Sequence, residues 1–466
     1  MGAASLSSVA PFIAAVVPTR AQMAATLGFH IILACLGIAL PSIVLLAEFV
    51  GLRRRDETAM RLARRWSQAM GVLIAVGAVT GTVLSFEMGL LWPGLMRRYG
   101  AVLGFPFGVE GVFFFLEAIF AGVYLYGWRR LPGWAHFWSG IPIAVSGIFG
   151  AMSVIAVNAW MNQPGGFIER AGKVVSVRPW QVFFNHAALY EMPHMILAAY
   201  MVSGFLVAGV YAAGVLRGRR DRYHYTGFAL GFVPAAVLTP FQIFVGDTAA
   251  RAIARDQPVK FAAMEYVART GRNVPEWLGG VYTGGHVYGG LKIPDLDSLL
   301  VGFGPGTKVV GWDTVRAAYR PPVAWLIHLC FDAMVGIGFL LLLAGLWSAY
   351  EWWRRRRLPP HRLFWWVGAI SGLAAIVAME AGWVVTEVGR QPWVVYRRQT
   401  TDAAATTNGG VLVSLSIVVV LYALLGAATI LILRTLARRW RRGDLEEGAV
   451  PYGPSPAPVL DRTEIV

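Results

Sequence analysis

Charge is what this chain has little of. Only 14% of its 466 residues are charged, against 56% that are hydrophobic, and the mean hydropathy is +0.56. A water-soluble chain of this length needs a far more polar surface. Cysteine is almost missing too. Cys35 and Cys330 both fall in apolar runs, which excludes a disulfide framework and a thiolate metal cluster. Acidic residues number 26 against 41 basic ones, a formal net charge of +15. Such a surplus can signal nucleic acid, but here the arginines come in short clusters between apolar runs. Membrane proteins distribute positive charge this way, so no nucleic-acid partner is expected. No basic stretch followed by an apolar run and a cleavage site opens the chain, and no cleaved signal peptide is expected.

What is abundant is long apolar sequence. Nine runs are long enough to span a bilayer as helices: 24–51, 69–92, 104–127, 137–160, 192–216, 225–246, 323–350, 363–387 and 409–434. The fold class is therefore all-α, a polytopic membrane protein with nine transmembrane helices. Arginine clusters follow spans 1, 3, 5, 7 and 9, as in "RRR" at 53–55 and "RRRR" at 354–357. The positive-inside rule then predicts the N-terminus outside and the C-terminus in the cytoplasm. The chain divides into spans 1–6 (residues 1–246), a long outside connector (247–322), spans 7–9 (323–442) and a Pro-rich polar tail (443–466) expected to be disordered. The connector begins with an amphipathic helical pattern, "GDTAARAIARDQPVKFAAMEYVART". It continues as turns in "WLGGVYTGGHVYGG". A loop this long is more often functional than idle.

Ionisable groups inside spans are costly and mark function by default. They are His30, Glu87, Glu110, Glu117, His194, His328, Asp332, Glu380 and Glu387. With the predicted orientation, nearly all lie in the outer half of the membrane. Independent packing accidents would not share a depth, whereas one buried polar site would. Histidine and methionine within a helical bundle suit haem iron. Zinc is disfavoured because no H-x-x-E-H or cysteine cluster exists. Helix-packing histidines, or a transporter with a buried polar site, explain single residues equally well.

Several segments together resemble subunit I of the cytochrome bd quinol oxidases. They are "VEGVFFFLEAIFAGVYLYGW", "VNAWMNQP", "GDTAARAIARDQPVKFAAME", "FDAMVGIGFLLLLAGLW" and "GWVVTEVGRQPW", in the family's order and across essentially the whole chain. The resemblance implies haem b558, and haem b595 beside haem d or a third haem b. His30 falls where the family has the axial histidine of one active-site haem, with Arg20 upstream of it. Glu387 matches the ligand of the other, and which haem takes which stays open. Trp383 matches a tryptophan between the haems, and Arg390 an arginine near the propionates. His194 and Met334 match the axial pair of b558. His186 falls outside the span, where the family often has proline. Asp332 stands where some members carry arginine, which puts propionate pairing there in doubt. Glu110 and Glu117 match a residue beside the active-site haems and one on a proton path. Lys260 and Glu265 match a pair tied to quinol oxidation in the Q-loop, here of the short-loop branch. Asp247 and Gln257 are weaker candidates there.

The implied activity is a respiratory quinol:oxygen oxidoreductase of the bacterial inner membrane. The implied partners are a second large membrane subunit, a small single-span subunit, quinol, oxygen and the lipid bilayer. An electron-transfer subunit with a different acceptor is the alternative. The kind of quinol stays open.

Overall fold

The computed structural model describes residues 4–442, with side chains from Val16 onward. The tail at 443–466 lies outside the described residues. The thirteen helices are α1 (Ala4–Arg54), α2 (Glu57–Leu91), α3 (Pro93–Gly127), α4 (Gly133–Asn162), α5 (Pro179–Phe183), α6 (Ala188–Leu216), α7 (Arg222–Asp256), α8 (Pro258–Met264), α9 (Leu296–Gly302), α10 (Ala324–Arg355), α11 (Arg362–Gly389), α12 (Thr401–Ala404) and α13 (Val411–Arg442). Nine helices among the described residues are long and apolar enough to cross a membrane; seven of the expected runs fall within them, and 69–92 and 409–434 overrun theirs by one and two residues. Short connections reverse the chain between most of them. Asp56 caps α2 by accepting from the amides of Thr58 (2.9 Å) and Ala59 (3.2 Å).

The helices run longer than the apolar cores alone suggest. The sixth spanning helix, α7, continues to Asp256, so the amphipathic start of the connector extends this helix. The Asp247–Arg251 pair at 3.0 Å supports that extension across one turn. It stops at Gln257, because Pro258 follows and excludes a helical residue before it. The loop proper thus begins at Gln257.

Eight short strands complete the chain: β1 (Phe167–Arg170), β2 (Lys173–Val177), β3 (Glu276–Leu278), β4 (Val281–Thr283), β5 (His286–Tyr288), β6 (Leu291–Ile293), β7 (Trp393–Val395) and β8 (Gln399–Thr400). The stretch read as turns is a β-ribbon. β4–β5 nests inside β3–β6 in one continuous register, Val281 opposite Tyr288 and Leu278 opposite Leu291. Gly284 and Gly285 close it, both at positive φ, as a two-residue hairpin turn requires.

Two helix groups share α6. In one, α1 packs against α2, α4, α6 and α13, and α3 packs against α4. In the other, α6, α7, α10 and α11 pack together. The face carrying the loop after α7 is called the loop face below, and the opposite one, with most arginine clusters, the arginine face. Near the arginine face, a buried cluster ties α1, α3 and α4. The Tyr124 hydroxyl donates to Glu48 Oε2 at 2.6 Å, and His136 Nδ1 lies 2.7 Å from Glu48 Oε1. His136 Nε2 lies 2.9 Å from the Tyr124 carbonyl.

Candidate functional site

A cavity of about 420 Å³ at the loop face is lined by Asn162, Asn185, His186 and Tyr396. A larger one, of about 720 Å³, lies between α1, α2, α3, α4 and α11. The larger brings together His30, Glu110, Glu117, Trp383, Glu387 and Arg390, with Arg20 exposed at its edge. Residues up to 370 positions apart in sequence thus share one wall. Asn158 and Glu380 line it too.

The His30 ring is oriented by one hydrogen bond. Its Nδ1 lies 2.9 Å from Thr80 Oγ1. The Thr80 hydroxyl has one proton, directed to the carbonyls of Gly77 (3.0 Å) and Val76 (3.2 Å). Thr80 therefore accepts from Nδ1–H, which leaves the Nε2 lone pair free. Gly81 makes room for the ring, since a Cβ there would stand 3.1 Å from His30 Cε1.

Glu387 sits where α11 ends. Its Oε1 accepts from Asn158 Nδ2 at 2.6 Å and its Oε2 from Arg390 Nη2 at 2.7 Å. Arg390 is only 2% exposed, yet its Nε and Nη1 have no partner. A buried guanidinium with two idle donors fits an anionic group entering from the cavity. One turn earlier, Trp383 presents its ring to the same space. Glu380 is the group the motif reading left without a role. Its Oε1 is buried with no partner, and its Oε2 lies 3.6 Å from where a Gly28 Cβ would be. Glu110 and Glu117 follow each other on one face of α3, about 10 Å apart along the axis. Gly37 leaves space for Glu117, with Oε1 3.7 Å from a Cβ placed there.

His194 and Met334 belong to the second helix group. His194 on α6 has a buried Nδ1 without a partner, and its Nε2 touches only Gln242 Nε2, at 3.3 Å. Gln242 Oε1 is also unpaired. Met334 on α10 points at α11, where a Cβ on Gly382 would stand 2.9 Å from its sulfur. The alternative histidine, His186, lies half-exposed beside Arg255 and Asp256.

The loop residues separate. Lys260 and Glu265 lie on α8 and at its end, but face different neighbours. Burial pulls the Lys260 ammonium down to about 8, against Glu191 and with Arg390 close by. Burial, then the carboxyls of Asp297, Glu276 and Asp332, holds Glu265 well above the usual range. Burial and Glu276 push Asp297 up to about 8, and neither of its oxygens has a partner. Glu276 is raised by burial and Asp332. The matched pair is thus two groups in two environments. Gln257 is buried and donates to the Asn162 carbonyl at 3.3 Å, while Asp247 is held by Arg251.

Some spanning ionisable groups turn out to be anchors. His328 is fully buried, its ring nitrogens on the carbonyls of Met264 and Gly279. Asp332 accepts from the Gly279 amide and so holds the start of the β-ribbon. Glu87 lies outside the cavity lining and accepts from Gln22 at 2.7 Å, which in turn accepts from Ser414 at 2.7 Å. Motif reading missed Glu191 and Asn162, which join this site by hydrogen bonds. The signals were present: Glu191 lies three residues before His194, and Asn162 four after Asn158.

Among the described residues, nine helices long and apolar enough to cross a membrane carry a histidine, a carboxylate and an arginine around one cavity, which defines a polytopic membrane protein with a buried polar site as the class. The particular family follows from comparison. The family model described as cytochrome bd terminal oxidase subunit I matches residues 19–440. A putative cytochrome bd menaquinol oxidase subunit I of Bacillus subtilis is 32% identical over 423 residues, 89% of this chain and 94% of that protein. The cytochrome bd ubiquinol oxidase subunit 1 of the same organism is 28% identical, over 88% of this chain and 90% of that one. The bd oxidase structure from Geobacillus thermodenitrificans superposes with a TM-score of 0.84 at 34% identity, covering 91% of this chain and 98% of that one. The chain belongs to the cytochrome bd terminal oxidase subunit I family and is a multi-pass membrane subunit of a quinol oxidase.

Proposed function

We propose that this chain is the haem-bearing subunit of a respiratory oxidase that takes electrons from quinol at the outer face and reduces oxygen to water. The observation that carries this reading is the single cavity joining His30, Glu387, Trp383, Arg390, Glu110 and Glu117. The donor set fits the implied haems: a free imidazole nitrogen, a carboxylate, and a buried arginine with idle donors for a propionate. His30 and Glu387 would hold the two active-site haems, b595 and haem d or a third haem b. His194 and Met334 would hold b558, a thioether–imidazole pair suited to electron transfer. When bound, the haems supply the redox chemistry that joins quinol oxidation to oxygen reduction.

The chain's own residues supply position and protons. Arg20 and Arg390 neutralise propionate charge at the cavity edge. Glu117 and Glu110 accept and pass protons drawn from the arginine face, taken here as cytoplasmic. Trp383 excludes water between the ligand positions. Lys260 and Glu265 of the loop take part in quinol oxidation, and the quinol protons leave outward. Protons consumed on one side and released on the other build a proton-motive force without pumping. Subunit II, a small single-span subunit and lipid cover the apolar faces, and the complex sits in the bacterial inner membrane.

The test is oxygen uptake by the purified complex driven by a soluble quinol. Uptake lost in His30→Ala and Glu387→Ala supports the reading. Uptake that persists in both sinks it. A haem-b electron-transfer subunit with another acceptor is the second reading, and the free His30 Nε2 beside a carboxylate-lined cavity weighs against it.

A further inference from the structure

Between the loop and the cavity runs a chain of buried and half-buried polar groups, most of which the oxidase reading leaves unused. Asn158 Nδ2 donates to Glu387 Oε1 at 2.6 Å, and Asn158 Oδ1 accepts from Asn162 Nδ2 at 3.0 Å. The same Asn162 amide donates to Glu191 Oε1 at 2.8 Å. Glu191 and Lys260 are close enough for their charges to interact. The Lys260 stem lies across Gly389, where a Cβ would stand 2.9 Å from its Cγ. That contact puts the loop's lysine two residues from Glu387 along α11.

The geometry points to Glu191 as a positioning residue that, through Asn162 and Asn158, sets the orientation of Glu387 and ties it to Lys260 of the loop. The logic is one of donors and acceptors. An amide has one oxygen and one NH₂ group. Asn162 directs its NH₂ at both Glu191 and Asn158, so the Asn158 oxygen must face Asn162. The Asn158 NH₂ then has one direction left, toward Glu387. Without the Glu191 acceptor, Asn162 is free to turn and Asn158 loses the constraint that aims it. The Glu191 carboxylate, near enough to feel the Lys260 charge, is the far end of the chain. Glu265, on the other side of α8, has no part in this chain and faces Asp297, Glu276 and Asp332 instead.

The inference rests on the proposed role of Glu387 as a haem ligand. It is tested on the purified multi-subunit complex by reduced-minus-oxidised and carbon monoxide difference spectra, alongside quinol kinetics. Glu191→Leu removes the acceptor; Glu191→Gln keeps an acceptor but drops the charge; Lys260→Met removes the partner charge. In Glu191→Leu the active-site bands shift and kcat falls about 10-fold, with KM for quinol and the low-spin b-type band unchanged. Lys260→Met shifts the same bands in the same direction, and the double variant adds nothing further. Glu191→Gln stays nearer to wild type. If Glu191→Leu fails to assemble, the Lys260→Met spectrum decides alone. Unshifted active-site bands in both variants overturn the proposal, as does a rise confined to KM. Wild-type complex without any carbon monoxide-reactive haem would instead overturn the functional reading itself.

Discussion

Two buried polar clusters in this bundle look alike in sequence and differ in completeness. Near the arginine face, Glu48, His136 and Tyr124 satisfy one another: every side-chain polar atom has a partner within the chain. At the larger cavity and around His194 the opposite holds. Arg390 Nε and Nη1, Glu380 Oε1, His194 Nδ1 and Gln242 Oε1 are buried without partners. A buried polar group costs free energy unless paired. A cluster that closes on itself needs nothing else and holds helices together. One that stays open is shaped around something the chain does not supply.

The comparison can be broken most sharply at His30. His30→Ala should abolish quinol-driven oxygen uptake, by more than about 100-fold, while the complex still assembles and unfolds at its usual temperature. Loss of assembly with the same change would place His30 with the closed cluster. At Met334, substitution by Ala should remove the low-spin haem band and leave carbon monoxide binding at the other site intact. Glu48→Ala should behave in the reverse way. Removing one partner strands His136 and costs about 3–5 kcal/mol of stability. Haem content per folded complex should stay at the wild-type value, and a fall in that ratio would erase the distinction.

A smaller effect concerns the loop carboxyls. Asp297 is pushed up to about 8 by burial and Glu276, and Glu265 is raised well above its ordinary value by burial and its neighbouring carboxyls. Between the unfolded carboxyl value, about 4, and 8, the folded loop keeps protons that the opened loop gives up, so loop stability falls as pH rises. Above about 8 the Asp297 contribution is exhausted. The lowered Lys260 works in the opposite sense there, adding stability as pH rises toward the unfolded lysine value. Limited proteolysis of the loop should therefore speed up from pH 5 to 8 and then level off. Asp297→Asn should flatten that rise, and an unchanged profile would remove Asp297 from the account.

Much of this was legible in sequence. Nine apolar runs fixed the helix count, because a span must be long and uniformly apolar whatever it packs against. His30, Glu387, Trp383 and Arg390 stand in the motifs that the chain shares with its family, and the structure brings all four to one cavity. The β-ribbon was half legible: its glycines announced turns, but three-residue strands leave no readable alternation. Burial of a polar group by its neighbours is a tertiary fact. Sequence gave Glu48 and His136 no distinction from solvated residues at helix ends. It listed His328 and Asp332 beside the cavity residues although they anchor the loop. The separation of Lys260 from Glu265 was hidden for the same reason, since five residues on a helix fix an angle and not what each side meets.

The most direct test is a dithionite-reduced minus oxidised spectrum of the purified complex with extracted-haem analysis. The open clusters predict one low-spin b-type haem and two active-site haems, with a red-shifted chlorin band if one of them is haem d. A complex that contains no haem would contradict the account and return His30 and His194 to helix packing.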